Sequence, residues 1–344
     1  MKYLSFAIPS FNSEKYLKNC VDSLLIGGDD VEIIIINDGS TDTTLNIANE
    51  YKSLYPNIVK VINQENGGHG EGINAGLKES TGLYFKVVDS DDHLYKDGLI
   101  SLLTTIKKHV IENTLPDFYL CNFVYDHTED NTYNISSYRK YFTPNSFTTW
   151  KNVKHMKYSH MILMHAIVYK KELLIKSEIV LPKHCFYVDN YFAYKPLIYS
   201  KSIYYLDVNL YSYFIGREDQ SICQKNFTKR YQQQLKVMNL MIDSIKYEDI
   251  YKLEKGLRIY LKHALNVINI VTICFTTIGK NDRKERRNII KDYYKSIKLR
   301  DKKMYYFLKY RSYYSTILLI PSRRIKKRII HMSYNKTCSK SKVG

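Results

Sequence analysis

Four times in the first 110 residues a short β-rich run is followed by a helical pattern: LSFAIPS then SEKYLKNCVDSLL, VEIIIIN then TDTTLNIANEYKSL, IVKVINQ then EGINAGLKES, and LYFKVVD then LYKDGLISLLTTIKKHV. Such alternation commits a chain to an α/β sheet with helical crossovers. The first two runs are almost wholly apolar, as parallel strands covered on both faces must be. Capping residues just past the strands, Ser13 and Thr41 or Asp42, predict that the strand-to-helix loops gather at the carboxyl edge of the sheet. Ligands of open α/β sheets bind at that edge.

One of those loops is rich in glycine. Residues 66–77 read NGGHGEGINAGL, with a strand-like run before and a helix-like run after. Its Gly70, Gly72 and Gly76 look like a dinucleotide-binding loop, and Asp89 follows about where a ribose-binding acid would sit. The fourth strand run, however, ends in VVDSDDHL. Alternation along a strand would put Asp89 and Asp91 on one side, close enough to share a cation. Three carboxylates in four residues repel, and a hard divalent ion with phosphate oxygens relieves that repulsion. The alternative is a polar turn in which Asp92 caps the next helix. A dinucleotide enzyme needs one acid there and no metal, whereas a cluster fits a metal-bound diphosphate. The second strand run also ends in an acid, Asp38 of INDGSTD.

The ordered set IPSFN, IIIINDGSTD, NGGHGEGINAGL and KVVDSDDHL resembles the inverting family 2 glycosyltransferases of the GT-A fold. The resemblance covers about the first 100 residues closely and implies an α/β fold of that class, with a mixed sheet and a helical, basic C-terminal extension. It implies that Pro9, Ser10, Asn12 and Glu14 line the nucleotide pocket and that Asp38 contacts base or ribose. Asn66, Gly68, Asn74 and Gly76 follow the family pattern N-x-G-x-x-x-x-x-N-x-G, as one wall of the donor pocket. Asp89 and Asp91 become the D-x-D that binds Mg²⁺ or Mn²⁺, with Asp91 as the direct ligand. Two positions depart from the family: Asn37-Asp38 replaces a pair of acids, and Ile73 stands where an arginine is common.

Displacement at an anomeric carbon requires a base separate from the metal-bound carboxylates. Family members carry it in a Glu-Asp pair at a helix start in the second half. In LPKHCFYVDNYFAY that pair reads Val188-Asp189, which makes Asp189 the candidate base, with helix capping as its alternative and His184 as a local rival. The segment DVNLYSYFIGREDQSI resembles the part that family members fold over the donor diphosphate, and assigns Arg217, Gln220 and Ser221 to it. His165 reads as core or acceptor-side packing. Lys86, in the middle of a strand, reads as snorkelling or paired with a carboxylate such as Glu71, against a phosphate contact.

Composition adds bounds. The 344 residues carry a net charge of +18, and residues 281–344 hold 20 Lys or Arg against 4 acidic residues. Tyrosines and leucines interleave with this charge, which favours an anionic membrane surface over plain helix packing and over nucleic acid, for which no binding is expected. The six cysteines are widely spaced and form no metal or disulfide pattern. No signal peptide or membrane span is expected, since IYLKHALNVINIVTICF is interrupted by Lys262, His263 and two asparagines. A cytoplasmic enzyme follows, peripheral at the inner face of the membrane, with catalytic residues in 1–222 and a helical basic region in 223–344. Its partners would be a nucleotide-sugar donor, a UDP-sugar by family analogy, and a saccharide or lipid-linked acceptor. The rival classes are a nicotinamide-dependent oxidoreductase and a non-catalytic polyanion-binding protein.

Overall fold

The computed structural model describes residues 1–127, 132–153, 155–157, 160–215, 230–279 and 282–313. These fall into two compact units, one built from Met1–Asn152 and Ile162–Ile215, the other from Val153–Met161 and the described residues after Ile215.

The first unit is organised on a mixed ten-stranded sheet. Its strands are β1 (Leu4–Ser10), β2 (Val31–Asp38), β3 (Val59–Gln64), β4 (Tyr84–Val87), β5 (His93–Leu94), β6 (Phe118–His127), β7 (Thr132–Ser136), β8 (Ser146–Thr149), β9 (Ile167–Lys170) and β10 (Ser202–Phe214). They lie in the order β3-β2-β1-β4-β9-β6-β10-β5, with β7 beside β6 and β8 beside β10. The pairs β1–β2, β2–β3 and β1–β4 are parallel, whereas β9 runs antiparallel to both β4 and β6. Every residue of β1 and β2 is buried, as their apolar sequences require. The chain steps from β1 outward to β3, then returns to place β4 on the other side of β1. That reversal opens a crevice at the carboxyl ends of β1 and β4.

The helices of this unit are α1 (Leu17–Leu25), α2 (Thr44–Leu54), α3 (His69–Glu79), α4 (Lys96–Ile111), α5 (Lys171–Lys176) and α6 (Val188–Tyr194). The capping expectations are corrected in part. The first two helices start at Leu17 and Thr44, with Tyr16 and Thr43 at the cap positions, so Ser13 does not cap and instead meets the Ser90 hydroxyl at 2.7 Å. Asp42 still serves the α2 entrance, accepting from the Thr44 N–H at 3.0 Å. In the polar stretch after β6, Thr132–Ser136 form β7 antiparallel to β6.

The second unit is helical where described: α7 (Tyr231–Asp243), α8 (Tyr247–Ile250), α9 (Lys255–Gly279), α10 (Arg283–Arg300) and α11 (Lys302–Leu308). Lys255–Ile278 is, by length and composition, apolar enough to cross a bilayer, contrary to the expectation from its interruptions, yet 72% of its most apolar stretch is buried inside the protein. Those interruptions are stitches. The buried Asn269 accepts from the Tyr293 hydroxyl at 2.7 Å and donates to that of Tyr294 at 3.0 Å, and Gln234 of α7 donates to Thr272 at 3.2 Å. A core helix satisfies its polar groups in this way.

Candidate active site

The crevice at the ends of β1 and β4 is walled by the loops that follow β1, β2, β3 and β4. Most motif side chains on these loops bond to one another. Asn12, held at a positive φ of 51°, donates its N–H to the Ser40 hydroxyl and accepts from the Thr41 N–H at 2.9 Å. Glu14 accepts from the Thr43 hydroxyl at 2.7 Å, and the buried Ser10 hydroxyl donates to the Ile8 carbonyl at 3.1 Å. The bonds of Asn12 and Glu14 fasten the loop after β1 to the loop after β2.

Asp38 is the hub of the next wall. One carboxylate oxygen accepts from the Gly67 N–H and from the Gln64 amide, each at 2.8 Å, and the other accepts from the Gly68 N–H at 2.8 Å. Its backbone carbonyl receives the Asn66 amide at 2.9 Å. The glycine loop therefore offers these two N–H groups to a protein carboxylate instead of a phosphate, which argues against the dinucleotide reading. Its remaining glycines permit close approach: a Cβ on Gly72 would stand 2.9 Å from that of Pro9, and one on Gly76 2.5 Å from that of Ala7. Helix α3 is thereby seated directly on β1.

The same loop reaches the second half of the unit. Gly68 has φ of 81° and lies so close to His184 that a Cβ would meet its backbone at 3.1 Å. The His184 N–H donates to the Gly67 carbonyl at 2.7 Å. Asn74 grips Leu181 twice, donating to its carbonyl and accepting from its N–H, both at 2.9 Å. Lys183 pairs with Glu71 at 3.1 Å. This segment leads straight into α6 and Asp189.

The acid cluster is arranged differently from the expected strand alternation. β4 stops at Val87, and a turn closed by the Asp92 N–H on the Asp89 carbonyl at 2.9 Å carries the acids. In a turn it is i and i+3 that approach, so the ligand atoms gathered within 4.8 Å of one another belong to Asp89, Asp92 and His165, without Asp91. Asp92 is fully buried and engaged at both oxygens, by the Tyr211 hydroxyl at 2.6 Å and the Phe214 N–H at 2.8 Å. It does not cap α4, whose cap position is Tyr95. Burial, then the neighbouring Asp91 and Asp89, push its carboxyl well above the usual carboxylate range. Asp91 is half-buried.

Asp89 bonds to the ring of His69 at 2.8 Å, and its N–H donates to the Tyr211 hydroxyl at 3.1 Å. Burial alone would raise Asp89, but the charge and hydrogen bond of His69 hold it below its ordinary value. Burial likewise opposes protonation of His69, and Asp89 overcomes it, with Asp189 and Asp91 adding to the upward shift. Asp189 lies in the first turn of α6 behind Tyr187, the residue at the cap position. Burial pushes its carboxyl up to about 6, opposed by His69 and reinforced by Asp89. Thus a carboxylate from the second half shares one electrostatic neighbourhood with the acids at the end of β4.

Two residues below the cluster carry more than the sequence indicated. Lys86 is fully buried and meets neither Glu71 nor solvent; its ammonium donates to the carbonyls of His165 at 2.7 Å and Ile167 at 3.3 Å and lies 4.9 Å over the Tyr211 ring. Burial brings it down to about 7. His165 is buried, stacked on Tyr213 at 4.4 Å, and 3.9 Å from Asp89, and burial brings it down to about 4. A lysine in the middle of an apolar strand was the only signal for this support, and nothing local reveals its partners. Arg217, Gln220 and Ser221 lie outside the described residues.

A mixed sheet with acids gathered at its reversal point, and a further carboxylate brought to them from the second half, is a GT-A-type fold. The sequence profile of glycosyl transferase family 2 matches residues 5–173, just under half of the chain. Glycosyltransferase GlyA of Streptococcus pneumoniae is 27% identical over 75% of this chain and 36% of its own length. Poly(ribitol-phosphate) beta-glucosyltransferase of Bacillus spizizenii is 37% identical over 33% of this chain and 18% of its own. The chain spans well under half the length of both relatives. In fold it is similar to residues 1–349 of Staphylococcus aureus TarS, solved with UDP-GlcNAc, at a TM-score of 0.65 and 20% identity, covering 98% of this chain and 92% of that one. The nicotinamide reading is thereby set aside.

Proposed function

We propose that the protein is an inverting glycosyltransferase that moves a sugar from a UDP-sugar to an acceptor hydroxyl in the synthesis of a cell-surface polysaccharide or teichoic-type polymer. The observation that carries this reading is Asp189, a carboxylate raised to about 6 beside the charge of His69 and Asp89. Ionised, Asp189 takes the proton of the acceptor hydroxyl as its oxygen attacks the anomeric carbon from the face opposite the nucleotide. The bond from that carbon to the diphosphate oxygen breaks, the nucleoside diphosphate departs, and the configuration inverts.

Pro9, Ser10, Asn12 and Glu14 form one wall of the donor pocket, and the loop held by Asp38 forms the next. The crowding that raises Asp92 fits this cluster to a hard divalent cation, Mg²⁺ or Mn²⁺. Asp89 and Asp91 would hold it, since Asp92 is fully buried and both its oxygens are engaged. Such an ion supplies positive charge to the departing diphosphate. The enzyme would work at the cytoplasmic face of the membrane on a saccharide or lipid-linked acceptor, attached through its basic C-terminal region.

Asp189→Asn tests the assignment. The variant should bind a UDP-sugar with Mn²⁺ as tightly as the unaltered protein while transfer falls about 10²- to 10⁴-fold. Retention of a tenth of the rate would remove Asp189 from the role of base.

A further inference from the structure

Helix α10 sorts its charge. At about 100° per residue, Arg283, Lys284, Arg287, Lys291, Lys295 and Lys298 all fall within an arc of about 120°. The acids of the helix, Glu285 and Asp292, project outside that arc. All six cations are exposed, while Tyr293 and Ile297 turn inward outside the arc, and the buried Tyr294 lies at the arc's inner margin between Arg283 and Arg287. Among the described residues none of the six forms an ion pair, whereas Arg300 and Lys303 pair with Asp243 and Glu248. Lys298 only overlies the Tyr305 ring, at 5.6 Å. Leu299 stands 80% exposed beside the arc, and Tyr306 and Tyr310 follow at 41% and 62%.

We infer that this arc is a docking face for an anionic lipid bilayer. A row of cations extending about 20 Å along a straight helix presents its charge to a plane, and the adjoining exposed leucine and tyrosines are of the types that settle at the headgroup boundary. A soluble polyanion would match the cations and leave the apolar residues in water. The inference deepens the proposed membrane attachment by assigning it to named residues, and it stands or falls independently of the chemistry at Asp189.

The triple variant Arg287→Glu, Lys291→Glu, Lys295→Glu tests it in the full-length protein, by sedimentation with phosphatidylglycerol and with phosphatidylcholine vesicles. The charge-matched control is Lys52→Glu, Lys78→Glu, Lys140→Glu, at exposed positions of the first unit. Each cation at an anionic surface is worth about fivefold in partitioning, so the triple variant should lose about 100-fold affinity for the anionic vesicles. The control should lose far less, and neither neutral vesicles nor soluble polyphosphate should replace the anionic ones. Equal losses in variant and control, or tight polyphosphate binding with no vesicle binding, would overturn the inference. Hydrolysis of soluble UDP-sugar, measured in parallel, reports on the transferase reading alone and should be equal in all three proteins.

Discussion

The end of β2 and the end of β4 each present acid at the carboxyl edge of one sheet, in opposite surroundings. Asp38 is surrounded by donors: two backbone N–H groups and an amide converge on one carboxylate. Asp89, Asp91 and Asp92 are surrounded by each other, and burial with mutual repulsion keeps Asp92 well above the usual carboxylate range. The first arrangement is complete within the protein and builds a wall. The second relieves its repulsion only with added positive charge, partly supplied by His69, which is why the chemistry is proposed there.

Exchanging one oxygen for an amide at each end should separate the two. Asp38→Asn turns an acceptor into a donor that faces N–H groups, and should cost about 3 kcal/mol of folding stability; chemical denaturation measures it. Asp91→Asn removes a like charge and should leave the metal-free protein at least as stable. It should weaken Mn²⁺-dependent donor binding by at least about 10-fold, read by titration calorimetry with and without the ion. Equal destabilisation by the two changes would erase the contrast.

Gly68→Ala probes the wall where it meets the second half. At φ of 81° and 3.1 Å from His184, the added methyl should cost about 1–3 kcal/mol, visible as a lowered denaturation midpoint. The mildest test is pH. As the proposed base, Asp189 would act only when ionised, and burial pushes its carboxyl up to about 6. The transfer rate should therefore fall to half at about pH 6 and roughly tenfold per further unit of acidification, in an assay with saturating donor.

The alternation of apolar runs and helical patterns made the first four strands and the edge that holds the site legible, because both depend on short-range periodicity. The ordered motifs made the family legible. What they did not reveal is how motif residues divide between chemistry and mutual support. Asp38 and Asn74 read as donor contacts, yet their partners are Gly67, Gly68 and Leu181, chosen by tertiary packing. The alternation rule failed at Asp91 because β4 ends two residues before the cluster, and a turn exchanges i+2 neighbours for i+3 neighbours. Lys86 of β4 meets the carbonyls of His165 and Ile167 at the entrance to β9, a contact between segments about 80 residues apart that no local pattern encodes.

The joint between α3 and the segment before α6 bears on how such enzymes diversify. Asn74 holds the backbone of Leu181, and Gly67 holds the backbone N–H of His184. Apart from the surface pair Glu71–Lys183, the glycine loop and α3 thus hydrogen-bond the Leu181–His184 segment through its main chain. Side chains in that segment can change, by drift or by recombination between relatives, while Asp189, the proposed base, stays in register. The constraint on such exchange falls on loop length between Leu181 and Asp189 and on the two glycines that admit it, which gives anyone building chimeric transferases a place to cut.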